Sequence, residues 1–72
     1  MYVILVYDIA SPKRGTKLLN YLRENLVWIQ NSVFEGEVTE SQMMSILKSI
    51  KSIINSETDS VIYFLFDSMK YS

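Results

Sequence analysis

The stretch MYVILVYDI, residues 1–9, decides the fold. From Tyr2 to Tyr7 six apolar or aromatic residues run without a break into one carboxylate, Asp8. A run this rich in Val, Ile and Tyr, and far shorter than the roughly 20 residues of a membrane-spanning helix, reads as a strand buried on both faces in the middle of a sheet. Asp8 then lies where the chain leaves the core. Ser11 and Pro12 follow as helix-start chemistry: a hydroxyl to accept an orphan N–H, then a ring whose φ suits the first turn and whose missing N–H costs nothing there. A strand, a carboxylate at its C-terminal end and a helix beginning at once make a seat for a metal ion or a phosphate.

Outward from that strand, Leu18, Leu19, Leu22 and Leu26 repeat at helical spacing, with Lys13, Lys17 and Glu24 on other faces, which predicts an amphipathic helix from Pro12 to about Asn25. Gly15 in its first turn either loosens that turn or admits close approach to the backbone. The segment VWIQNSVFEGEV, residues 27–38, is β-branched and aromatic, and two short antiparallel strands meeting at Asn31 and Ser32 fit it better than one bent strand. Thr39 with Gln42 three positions on is a capping-box pattern, and Glu40 adds negative charge where the helix dipole favours it. Met43, Ile46, Leu47, Ile50, Ile53 and Ile54 then mark the apolar face of a second helix ending near Asn55. A polar turn, Asn55 to Ser60, leads into a last apolar run, Val61 to Phe66, read as a second buried strand. The tail from Asp67 has no periodicity.

The order βαββαβ with right-handed crossovers defines an α+β ferredoxin-like sandwich: a four-stranded antiparallel sheet with two helices on one face, one domain over residues 1–72. The first and last strands are expected side by side at the centre. Both are apolar at both phases, yet a lone subunit leaves one sheet face bare. Two sheets packed face to face in a homodimer would cover it.

Composition points the same way. A chain of 72 residues holds a core that barely outweighs chain entropy, and with no Cys and no His it has neither disulfides nor the usual zinc ligands to help. Oligomerisation remains. The absence of a basic n-region with a cleavage site, and of a membrane-spanning apolar run, predicts a cytoplasmic protein without membrane contact. A net charge of −1 argues against binding nucleic acid by bulk electrostatics, although four of the seven basic residues, Lys13, Arg14, Lys17 and Arg23, fall within eleven positions.

Few residues can carry chemistry. Asp8 is the one carboxylate that ends a buried strand, Glu35 and Glu37 share a phase, and Lys13 and Arg14 open the first helix. One carboxylate holds Mg²⁺ weakly; Asp8 from two copies facing one gap near a two-fold axis would hold it better. Such an ion could activate water and stabilise a phosphodiester transition state while Arg14 neutralises the phosphate. The plainer readings stand beside these: Asp8 hydrogen-bonding its own turn, the first helical turn as a solvated charged face, Gln30 to Ser32 as turn chemistry, Met43 and Met44 as core filling.

MYVILVYDI, WIQNSVFEGEVT and DSVIYFLF, in that order and spacing, resemble CRISPR-associated protein two, the small partner of the CRISPR integrase, over nearly the whole chain. The resemblance implies a ferredoxin-like homodimer that bridges integrase subunits and binds spacer precursor duplex DNA during spacer acquisition. It also implies a metal-dependent nuclease acting on single-stranded RNA or duplex DNA, with Asp8 as catalytic residue and ligand of Mg²⁺ or another divalent cation. Lys13, Arg14 and Lys17 are the implied nucleic-acid contacts, with Arg14 nearest the family's arginines, and Ser32 and Phe34 are placed near the cleft and dimer. Family chains commonly continue into a further short strand that pairs with the other subunit, whereas this sequence stops at Ser72. A ferredoxin-like toxin endoribonuclease is the alternative of similar shape, and a ligand-sensing regulatory dimer lacks the Gly-rich loop it would need.

Overall fold

The computed structural model describes residues 1–67, so the tail beyond Asp67 lies outside the described residues. The elements are β1 (Tyr2–Asp8), α1 (Pro12–Asn25), β2 (Val27–Gln30), β3 (Val33–Glu37), α2 (Glu40–Ile53) and β4 (Ser60–Phe66). All four strands form one antiparallel sheet in the order β2-β3-β1-β4. This is the ferredoxin-like arrangement expected from the element order.

The helix starts form as their residues dictate. Ser11 caps α1 by accepting the Arg14 N–H with Pro12 in the first turn, and Thr39 and Gln42 complete a reciprocal capping box on α2. The turn around Gly15 is not loosened: its N–H reaches Ser11 O at 2.8 Å. Between β2 and β3 the backbone reverses at Asn31, whose φ of 45° suits asparagine, and a register shift between Trp28 and Gln30 leaves Ile29 as the extra residue of a bulge.

The core lies between the sheet and the helices. Val3 and Leu5 from β1, Phe34 from β3 and Leu18 and Leu22 from α1 are all 0 % exposed, joined by Met43, Ile46 and Ile50 from α2. Gly36, opposite Val3, lets the end of α1 come close, since a Cβ there would stand 3.3 Å from Leu26 Cδ2. Met43 is core filling, whereas Met44 is exposed.

One expectation is corrected. β4 lies beside β1 but at the sheet edge, and its residues from Ile62 to Phe66 are 41–58 % exposed. Each helical crossover spans one intervening strand, so β3, not β4, takes the second central position beside β1. On the face away from the helices, Ile4 and Val6 of β1 lie opposite Phe64 and Ile62, and no element of this chain covers them among the described residues.

Candidate functional site

β1 delivers Asp8 to the sheet end at which α1 begins. Its rung with Ser60 is the last of the β1–β4 ladder, and the Tyr7 N–H donates to Ser32 O at 3.2 Å on the other side. The Asp8 side chain is exposed. It stands on the rim of an open cleft of about 420 Å³ floored by Tyr7, Ile9 and Leu19, with the hydroxyl residues Ser11, Thr16 and Ser32 and the bare backbone of Gly15 on its walls. Burial pushes the Tyr7 phenol above its ordinary value, and its ring stacks on Phe34 with centroids 6.2 Å apart.

The remaining predicted residues fall into three groups. Ser32 is in the cleft. Phe34 is not: at 0 % exposure it points between the sheet and the helices, where it supports Tyr7 from behind and touches neither the cleft nor the open sheet face. Its register explains this, because it pairs with inward-facing Leu5. Glu35 and Glu37 share the open face, where Glu35 Oε1 accepts from the Tyr2 hydroxyl at 2.8 Å. Lys13 and Lys17 are exposed on α1, one helical turn apart.

Arg14 is drawn elsewhere. Its Nε and Nη2 donate to Asp59 Oδ2 and Oδ1 at 2.8 and 3.0 Å, and Nη2 also reaches Thr58 Oγ1 at 3.2 Å. The Asp59 side chain, itself 0 % exposed, accepts two backbone N–H groups as well, from Ala10 at 2.9 Å and Asn55 at 2.8 Å. The Arg14 guanidinium first, then these amides and the Thr58 hydroxyl, hold the Asp59 carboxyl well below the usual carboxylate range against the opposing effect of burial. Sequence reasoning missed Asp59, filing it within a polar turn. The available signal was its position immediately before β4, which the antiparallel pairing with β1 brings beside the end of β1.

Among the described residues no three His, Cys, Asp or Glu side chains gather into a metal-ligating group. The cleft is lined by one carboxylate residue, Asp8, and four hydroxyl residues, Tyr7, Ser11, Thr16 and Ser32. That set fits a hydrated Mg²⁺ shared with a substrate phosphate, since this ion keeps several waters and takes only one or two carboxylates; it does not fit an all-protein cage.

Fold and site together define a small α+β sandwich that presents a single strand-end carboxylate on a hydroxyl-lined cleft. The family model for CRISPR associated protein Cas2 matches residues 1–72, and the chain belongs to that family. It is 50 % identical over 72 residues to the CRISPR-associated endoribonuclease Cas2 of Dictyoglomus turgidum, covering 100 % of this chain and 82 % of that one. A solved structure described as a crystal structure of cas2 superposes with a TM-score of 0.89 at 36 % identity, over 100 % of this chain and 80 % of that one. Streptococcus pyogenes Cas2 at pH 6.5 follows with a TM-score of 0.83 at 31 % identity, over 92 % and 86 % of the respective chains.

Proposed function

We propose that this protein is a divalent-cation-assisted endoribonuclease of CRISPR adaptation that works in the cytoplasm as a homodimer, with Asp8 as its catalytic residue. The observation that carries the reading is the exposed Asp8 carboxylate on the cleft rim, at the end of a central strand whose backbone is held on both sides. Family membership and the endoribonuclease name of its relatives support the reaction class.

Asp8 would hold the cation, which when bound supplies an acidified water and neutralises charge on the phosphodiester. The chain's own residues do the rest. Lys13 and Lys17 draw the nucleic-acid backbone toward the start of α1, and the hydroxyls of Ser11, Thr16 and Ser32 offer hydrogen bonds to substrate oxygens. A second copy packed on the open sheet face brings a second Asp8 toward the same gap and strengthens cation binding. The same dimer, bridging integrase subunits and lying on spacer precursor duplex DNA, would use Lys13 and Lys17 without needing the carboxylate.

The test is cleavage of single-stranded RNA and duplex DNA with and without Mg²⁺. Asp8→Asn is expected to lower cleavage by about 10²-fold or more while leaving DNA binding intact. Undiminished cleavage in that variant removes Asp8 from the reaction. Reversing Lys13 and Lys17 to Glu is expected to weaken DNA binding and flatten its salt dependence, and no change in either counts against the binding role.

A further inference from the structure

Asp8 is exposed, so packing of its side chain does not fix where the carboxylate points; the backbone that carries it does. That backbone is gripped before Asp8 by the Tyr7 N–H on Ser32 O, and at Asp8 by the final rung with Ser60. Beyond Asp8 the grip passes to a side chain. Asp59, the residue next to Ser60, accepts the Ala10 N–H on Oδ1, extending the β1–β4 pairing past its last rung. The same carboxylate ties the Asn55 N–H through Oδ2, so it locks the loop after β1 to the loop before β4.

Asp59 can do this only if its charge is compensated. Its side chain is fully buried, and Arg14 meets it with a two-pronged fork, Nε on Oδ2 and Nη2 on Oδ1. A fork of this kind gives orientation as well as attraction, and a lysine ammonium cannot reproduce it. Turning the guanidinium toward a bound phosphate would leave a buried carboxylate without its cation, which is strongly unfavourable.

We infer that Arg14 and Asp59 are a positioning pair for the Asp8 loop, and that Arg14 acts on the reaction through Asp59 rather than by holding a phosphate. The inference rests on the reading of Asp8 as the catalytic residue. Arg14 and Asp59 touch no reacting atom; they fix the reach of the carboxylate that does.

The experiment compares Arg14→Lys, Arg14→Ala, Asp59→Asn and Asp8→Asn in Mg²⁺-dependent RNA cleavage, with RNA affinity measured across salt concentrations in EDTA. A misplacement of the Asp8 loop by about 1 Å is expected to cost about 10²-fold in kcat. Arg14→Lys should lose that much, as Arg14→Ala does, with KM and the salt slope of binding unchanged. A phosphate-holding arginine behaves differently: Lys restores most of the turnover, and Arg14→Ala lowers the salt slope by about one. Either result overturns the inference. Because Arg14→Ala and Asp59→Asn could fail to fold, the wild-type protein supplies a second measurement, the Arg14 Nε–H resonance during RNA titration in EDTA. It is expected to stay in place, and a large shift on binding overturns the inference. Retained cleavage in Asp8→Asn removes the reaction from Asp8 and the pairing role with it. Lost cleavage in Asp8→Asn beside near-wild-type turnover in Arg14→Lys removes the pairing role alone.

Discussion

Asp8, the last residue of β1, and Asp59, the residue just before β4, lie at the same end of the sheet and are put to opposite uses by their surroundings. Asp8 is left in solvent, where a carboxylate can exchange ligands, while Asp59 is removed from water and given five hydrogen-bond donations in return. The second arrangement sets a pH dependence. The folded-state value of Asp59 is depressed, so below the unfolded-state value of about 3.9 the unfolded chain takes up a proton that the folded chain still refuses. The contribution of Asp59 to stability is therefore fully present above that value and declines as pH falls through the acid range toward the folded value. Thermal denaturation of the wild type and Asp59→Asn at fixed protein concentration reads this directly. The gap in Tm is expected to be constant from pH 8 to about pH 5 and to narrow progressively below about pH 4. A gap independent of pH down to 2 would mean that the carboxylate charge contributes nothing to the fold.

The elements divide by how local their causes are. The start of α2 is written in four consecutive residues, Thr39 to Gln42, because both bonds of the capping box close within three positions. Thr39→Ala is accordingly expected to destabilise the protein by about 1 kcal/mol. In a domain of this size that lowers Tm by about 4–8 °C at fixed protein concentration, measurable by circular dichroism. The Ser11–Pro12 helix start, the reversal at Asn31 and the delivery of Asp8 by β1 were legible for the same reason: each follows from neighbours in sequence. The edge position of β4 was not. An apolar run at both phases says that both faces meet apolar surroundings, and leaves open whether those belong to this subunit. Phe34 illustrates the same limit, since only its pairing with Leu5 shows that it faces inward. The ion pair of Arg14 with Asp59 joins residues 45 positions apart with no pattern linking them, so the sequence showed two charges and not the contact.

At the scale of the whole molecule the dominant feature is the open sheet face. Ile62, Phe64 and Phe66 are 58, 55 and 42 % exposed, and they align across β1 with Val6, Ile4 and Tyr2 to form one continuous apolar surface. A patch of this kind on a domain with so small a core is destabilising to display and favourable to cover. Glu35, bonded to the Tyr2 hydroxyl, and Glu37 border the apolar residues, and a two-fold operation would repeat the same border on a partner. If a second copy is the cover, a charge at its centre acts twice. Burying one Phe side chain is worth roughly 1.5–3 kcal/mol, so Phe64→Glu should remove about 3–6 kcal/mol across the axis, or about 10²–10⁴ in the dimer Kd. Sedimentation equilibrium over a range of concentrations should then find a dimeric wild type and a monomeric Phe64→Glu with an unchanged far-ultraviolet spectrum. Met44, on the outer side of α2, is more exposed still, and Met44→Glu should leave association untouched. A monomeric wild type would separate the two halves of the functional proposal: Asp8 would have to bind its cation alone with the substrate phosphate, and the Mg²⁺ concentration needed for cleavage would not depend on protein concentration. A dimer shifts that requirement to lower Mg²⁺ as subunits associate, so the two measurements together decide whether the site belongs to one chain or to two.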